Sequence, residues 1–376
     1  MKQKEYTVLG MMSGTSLDGL DMAYCRFWQN KGFWKYAIEY ATTIPYSEDK
    51  KSALQEAINL EPMDLFKLHH RYGEWLGKTA KKFLGEHKLT VDFISSHGHT
   101  IHHRPEESYT FQAGDGAELA KHSGQTVICD FRTEDVKQGG QGAPLVPIGD
   151  RLLLGEYDYC LNLGGISNIS FEQDGNRIAY DIGIANMLLN PLAQRAGLPY
   201  DRDGALARQG SLNKALYEAL NGLEYYTLPY PKSTGYEWFA KEVWPLVETF
   251  DDTPENLLYT AVHHIAEQIA MAVQSTLEQN SQPSSAKAPA GKPSPVNSQL
   301  LATGGGAKNS FLMEILQEKL GDQIQLIIPD KKLIDYKEAL VFALMGILKM
   351  EGQINILSSV TGGEEDLCSG VVFNVQ

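Results

Sequence analysis

Twice along this chain, three strand-like runs joined by turns give way to alternating helix and strand, and each time glycine marks the first turn. The first set lies at 6–9, 22–28 and 33–44, the second at 157–163, 166–171 and 177–180. Runs rich in β-branched and aromatic residues, with turn residues between them, read as hairpins. The pattern predicts two α/β halves, each with a glycine hairpin that grips phosphates from one side. A length of 376 residues accommodates two domains with separate cores, expected over 1–145 and 146–376. Residues 280–298, rich in Ser, Pro, Ala and Gln, read as a flexible insertion.

The first turn carries Gly10-Met11-Met12-Ser13-Gly14-Thr15-Ser16-Leu17-Asp18-Gly19-Leu20-Asp21. Its glycines permit positive φ and close backbone approach to a ligand. Backbone amides, with the hydroxyls of Ser13, Thr15 and Ser16, can cradle phosphate oxygens. Asp18 and Asp21 would repel phosphate directly, so they imply Mg²⁺ or its waters between. No Gly-Lys-Ser/Thr and no helix follows, which excludes a Walker A loop. The plain alternative is a hairpin turn with solvated aspartates.

Other stretches carry similar pairs of readings. In Leu161-Asn162-Leu163-Gly164-Gly165-Ile166-Ser167-Asn168, glycine again admits phosphate and Asn162, Ser167 and Asn168 can donate, although a β-turn also explains it. Thr303-Gly304-Gly305-Gly306, between a strand and a helix, can lie against a base or ribose, or be a tight turn. Asp181 ends a strand just before a helix, which suits a general base working by position, or a helix N-cap. His97, His99, His102 and His103, with Asp115 and Asp130, could form a metal site; substrate-binding or core histidines are the commoner case. Asp130 and Arg132 lie at a strand end, to pair together or meet a polar substrate. The loop 138–144 reads as ligand-facing or a hinge, and Glu338 as a surface ion pair with Lys337.

A net charge of −14 argues against wrapping nucleic acid or docking on an anionic membrane. Four cysteines without CxxC spacing read as reduced core thiols. No signal-like segment and no span of about 20 apolar residues is present, so a cytoplasmic protein is expected.

Together these stretches resemble the anhydro-N-acetylmuramic acid kinases, within the superfamily of sugar kinases, Hsp70 and actin. The resemblance covers nearly the whole chain outside 280–298, through 10–21, 96–105, 130–147, 162–168, 181–189 and 304–309. GMMSGTSLDGLD followed by GGQGAPL is its most specific part. It implies an α/β protein with two RNase H-like domains of the actin/hexokinase/Hsp70 type around a central cleft, with ATP and Mg²⁺, and it suggests a homodimer. The implied reaction phosphorylates O6 of 1,6-anhydro-N-acetylmuramic acid while water opens the anhydro bridge at C1, a step of peptidoglycan recycling.

In this resemblance Asp181 matches the base, and Glu338, in KEALVFA, an acidic position near the same water. Gly14, Thr15, Ser16, Leu17, Asp18, Gly19, Leu20 and Asp21 would hold the phosphates, with Asp18 and Asp21 toward the metal. Gly164, Gly165 and Asn168 would face them, Gly304, Gly305 and Gly306 the adenosine, and His97, Asp130, Arg132 and Asn186 the sugar. Ile182, Ile184-Ala185, Tyr236 and His99 depart from the family pattern. The rival readings are a kinase of the same fold for another amino sugar, an ATP-gated binding module of the Hsp70 type, and a metallohydrolase.

Overall fold

The computed structural model describes residues 4–14, 17–281 and 298–375. Thr15, Ser16 and positions 282–297 of the expected insertion lie outside the described residues. The chain forms two compact units, Met1–Leu154 with Tyr336–Gln376, and Gly155–Asp335. The division expected at 145/146 thus falls at 154/155, and the C-terminal stretch belongs with the first unit.

In the first unit β1 (Glu5–Ser13), β2 (Gly19–Asn30) and β3 (Phe33–Pro45) pair antiparallel. Ser47 caps α1 (Glu48–Glu56), its side chain accepting from the Lys50 amide. There follow α2 (Pro62–His87), β4 (Phe93–Arg104), β5 (Tyr109–Ala113), α3 (Gly116–Ser123), β6 (Val127–Cys129), α4 (Thr133–Lys137) and α5 (Pro147–Leu153). Leu65, Leu68, Tyr72, Leu76, Ala80 and Phe83 recur at helical spacing on α2 and bury one face in a core with Leu9, Met11, Leu20, Met22 and Ile94. β4 runs on to Arg104 because β5 pairs with it from His99 to Arg104. The histidine run therefore lies within β4.

The second unit repeats the scheme with β7 (Tyr159–Leu163), β8 (Ile166–Gln173) and β9 (Asn176–Ile184), again antiparallel. Then come α6 (Asn186–Arg195), α7 (Lys214–Asn221), α8 (Tyr236–Trp238), a π-turn at Phe239–Val243, α9 (Trp244–Glu248), α10 (Pro254–Ser281), β10 (Ser298–Thr303), α11 (Ser310–Leu320) and β11 (Ile324–Ile327). Leu258, Val262, Ile265, Ile269 and Val273 of α10 share a core with Leu161, Leu163, Ile169, Phe171 and Ile182 of the sheet.

The chain returns through α12 (Lys331–Met350), which leaves helical geometry at Tyr336 (φ −122°), where the second unit gives way to the first. After α13 (Ser358–Thr361), β12 (Val371–Phe373) pairs antiparallel with β6, which ties the C-terminus to the first sheet. The strand orders are β12-β6-β4-β1-β2-β3, with β5 on β4, and β11-β10-β7-β8-β9. In each sheet three antiparallel strands are extended beside the first by two parallel ones. Both units are RNase H-like.

Cys25, Cys129 and Cys160 are buried on β2, β6 and β7 and form no disulfide. Among the described residues no helix is long and apolar enough to cross a membrane.

Candidate active site

On the first hairpin, Ser13 is bonded within the protein. It is 2% exposed, its Oγ lies 2.9 Å from His99 Nδ1, and the Tyr46 hydroxyl donates to it at 2.7 Å. Tyr46 also meets Tyr72 at 2.6 Å. Each hydroxyl has one proton, so protons point along the series Tyr72, Tyr46, Ser13, His99. Burial pushes the His99 imidazole down to about 4, leaving it neutral to accept. The series pins the end of β1. Gly19 is likewise structural, since a Cβ there would lie 2.4 Å from the Ile44 carbonyl oxygen, and Leu20 is core. Among the described residues of the turn, Gly14, Leu17 and Asp18 remain open toward solvent, with Asp21 half-buried and accepting from Thr43 Oγ1 at 2.5 Å.

The first unit also gathers His97, Arg132 and Glu338. Arg132 Nε donates to His97 Nε2 at 2.9 Å, and His97 Nδ1 meets the Gly98 carbonyl at 3.0 Å. Burial and the neighbouring guanidinium hold His97 well below its ordinary range. Both ring nitrogens are therefore committed, and His97 supports Arg132 in place of the expected sugar contact. Asp130, in the left-handed region (φ 58°), turns the chain out of β6 toward Arg132 and has no hydrogen-bond partner among the described residues. Lys337 is not a surface partner for Glu338: it is 4% exposed and reaches Asp150 Oδ1 at 3.6 Å. Glu338 itself is accessible to solvent, yet desolvation by surrounding protein raises its pKa, against the pull of Lys337 and Arg132.

The histidines do not form a metal centre. His103 Nδ1 meets Thr110 Oγ1, Asp115 caps α3, and His97 and His99 are bonded as above. Among the described residues no group of three or more His, Cys, Asp or Glu is arranged to hold a metal ion.

In the second unit, strand register sets Asn162 of β7 opposite Asn168 of β8, and Asn168 opposite Asp181 of β9. Their neighbours Leu161, Ile169 and Tyr180 face the core, so alternation puts these three polar residues on the other face. Ser167 is buried, donating to the Gly183 carbonyl at 2.9 Å. Asp181 is held by a later segment that sequence patterns did not single out. Tyr225 Oη donates to its carbonyl (2.7 Å), its amide donates to Lys232 O (3.0 Å), and the Thr234 amide donates to Oδ2 (3.1 Å). Oδ1 has no partner among the described residues. Burial pushes the carboxyl above the usual aspartate range, and the Thr234 amide draws it partly back. Asp181 lies inside β9 and caps no helix. A cavity of about 470 Å³ elsewhere in this unit is lined by Tyr180, Ile182 and Tyr230, not by the polar row.

The second glycine hairpin leaves room for a ligand. A Cβ at Gly164 or Gly165 would make only ordinary contacts of 3.5–3.8 Å, so the chain's own packing does not require glycine there. Asn186 shapes the turn: its Nδ2 donates to the carbonyls of Leu163 (3.2 Å) and Gly164 (2.8 Å). Because a peptide is planar and trans, the Gly165 amide then points away from Asn186. Asn186 is thus a clamp on the hairpin, where a sugar contact was expected. Gly304 (φ 80°) and Gly306 are needed for close approach to the Leu163 backbone, whereas Gly305 faces open space. Replacing Asn186 with alanine removes two amide–carbonyl bonds, about 1 kcal/mol each. The expected result is a loss of about 2 kcal/mol of stability, read as a lowered Tm; an unchanged Tm would show that the clamp does not hold the hairpin.

The family model for anhydro-N-acetylmuramic acid kinases matches residues 6–375. The chain belongs to that family. The anhydro-N-acetylmuramic acid kinase of Actinobacillus pleuropneumoniae serotype 3 (strain JL03) is 33% identical over 382 residues, covering 97% of this chain and 98% of that protein. The one from Xanthomonas axonopodis pv. citri (strain 306) is 34% identical over 380 residues, covering 97% of each. Among solved structures, the ROK hexokinase from Thermus thermophilus aligns over 91% of this chain and 99% of its own, at 12% identity and a TM-score of 0.39. That likeness is low, and the fold rests on the two strand orders. Membership in the anhydro-N-acetylmuramic acid kinase family makes this chain a sugar kinase and sets aside the Hsp70-type module and the metallohydrolase.

Proposed function

We propose that the chain uses ATP and Mg²⁺ to open the anhydro ring of 1,6-anhydro-N-acetylmuramic acid and phosphorylate O6, giving N-acetylmuramic acid 6-phosphate. The observation that carries this reading is Asp181, a carboxylate with one oxygen held by a backbone amide and the other without a partner among the described residues, in a chain of that family. Oδ1 takes a proton from the water that attacks C1. The C1–O6 bond breaks, its electron pair goes to O6, and O6 attacks the γ-phosphorus as ADP leaves. Cleavage itself supplies the charge on O6, so no second base is needed there. Glu338 is the second carboxylate of the reaction, and its accessibility supports that role.

The Gly165 amide and the open space at Gly164 and Gly165 fit phosphate oxygens. Asp18 and Asp21 are hard oxygen donors on the first hairpin and would hold Mg²⁺, which needs only one or two carboxylates beside phosphates and water. When bound, Mg²⁺ neutralises charge on the phosphates. The test is ADP release with the anhydro sugar and, separately, with ring-open N-acetylmuramic acid. Release is expected only with the former. Equal phosphorylation of the open sugar would overturn the coupling of ring opening to transfer.

A further inference from the structure

We infer that Asp135 is a positioning residue for this reaction, holding the 139–142 loop so that the Gly142 carbonyl fixes Arg132 toward Glu338. The inference rests on the proposed role of Glu338. Asp135 sits in the sequence Thr133-Glu134-Asp135-Val136-Lys137, which looks like a solvated helix, yet it is 0% exposed. Its Oδ2 accepts from the Gly142 amide and its Oδ1 from Thr361 Oγ1, both at 2.7 Å. Its carbonyl accepts from the Gly140 amide at 2.9 Å, while the Gln141 amide donates to Thr361 O at 2.8 Å. Gly140 has no room for a side chain, since a Cβ there would lie 2.3 Å from Asp135 Oδ2. The loop is wrapped around one buried carboxylate.

The arrangement leads outward. The Gly142 carbonyl accepts from Arg132 Nη1, and Arg132 Nε is held by His97, whose ring lies 4.7 Å from Phe342 on α12. Two of the guanidinium's directions are thus fixed by the loop and by β4. Its charge acts on Glu338, as does that of Lys337 on α12, and both favour the ionised carboxylate. Asp135 touches none of the reacting groups. A loop held in this way can still fail in two separable manners, by loosening the fold or by letting Arg132 drift.

The test is the pH dependence of kcat for Asp135→Asn, beside Thr361→Val, which removes one donor and keeps the carboxylate, and Glu338→Gln. If Arg132 drifts, Glu338 loses a stabilising cation, so its part of the acid limb, beside that of Asp181, moves to higher pH. Turnover should fall roughly ten- to a hundredfold with the KM for ATP unchanged. Loss of the Asp135 charge alone would move the limb the other way, so the direction separates the causes. Thr361→Val is expected to shift the limb upward by a smaller amount, and adding Asp135→Asn to Glu338→Gln should produce no further shift. A lowered Tm with an unmoved limb in both loop variants would overturn the inference and leave Asp135 purely structural. Wild-type turnover in Glu338→Gln would instead overturn the role of Glu338.

Discussion

Asp181→Asn is expected to lower turnover by about a thousandfold, within the range for loss of a general base, while ATP binding stays nearly intact. Asparagine keeps the shape of the side chain and can still accept the Thr234 amide hydrogen bond seen at Oδ2, so the 225–234 segment has no reason to move. What it loses is the ability to take a proton at Oδ1. The variant should fold at least as stably as the parent, because burial disfavours the charged form of this carboxyl and an amide carries no charge. The same burial fixes the sign of the pH effect. A raised pKa means that the base is protonated, and kcat falls, at a higher pH than for an exposed aspartate. Steady-state kinetics with ATP titration separates the outcomes: a wild-type kcat would remove Asp181 from the chemistry, and a lost ATP KM would place it in the phosphate cradle.

Gly10→Ala is expected to damage the first unit more than any conservative surface change. A Cβ at this position would lie 1.9 Å from the Ala339 carbonyl oxygen and 2.8 Å from its carbonyl carbon. Both belong to the backbone of α12, which cannot rotate away as a flexible side chain would. The expected cost is about 3 kcal/mol, at the upper end for overpacking, or a fall in Tm of roughly 6–12 °C. Turnover should drop as well, because Ala339 directly follows Glu338 and the helix must shift to make room. Calorimetry with a kcat measurement checks both. An unchanged Tm would mean that α12 does not seat against β1 as described.

Much of this was legible from local pattern. Three strands with a glycine hairpin, repeated, announce two sheets because hydrophobic alternation and turn chemistry are short-range signals. The caps at Ser47 and Asp115 follow from the same logic. What local pattern could not supply was pairing across distance. β4 runs on through the histidines because of β5, and β12 joins β6 from the far end of the chain. The short α4, α5 and α13 carry too few residues for a periodic signal.

The candidate site divides along the same line. The expected residues 162, 168 and 181 share a face because of strand register, and their alternation with Leu161, Ile169 and Tyr180 is visible in the sequence. Their supports are not. Thr234 and Tyr225 reach Asp181 from 53 and 44 residues away. Hydroxyl and imidazole groups that read as ligand contacts, Ser13, Ser167 and His97, are committed to holding the scaffold. Asn186 and Gly306 serve the hairpin in the same way. Residue type alone does not distinguish a group that meets a ligand from one that positions the backbone beside it.

The most direct test of the central claim is the fate of oxygen in a single turnover. The protein would be incubated with ATP, Mg²⁺ and 1,6-anhydro-N-acetylmuramic acid in ¹⁸O-labelled water, and the product fragmented by mass spectrometry to locate the label. The expected product is a sugar 6-phosphate with one ¹⁸O at C1 and none between C6 and phosphorus. A phosphorylated product whose ring remains closed, without label at C1, would contradict it, because transfer would then proceed without the water that Asp181 is held to activate.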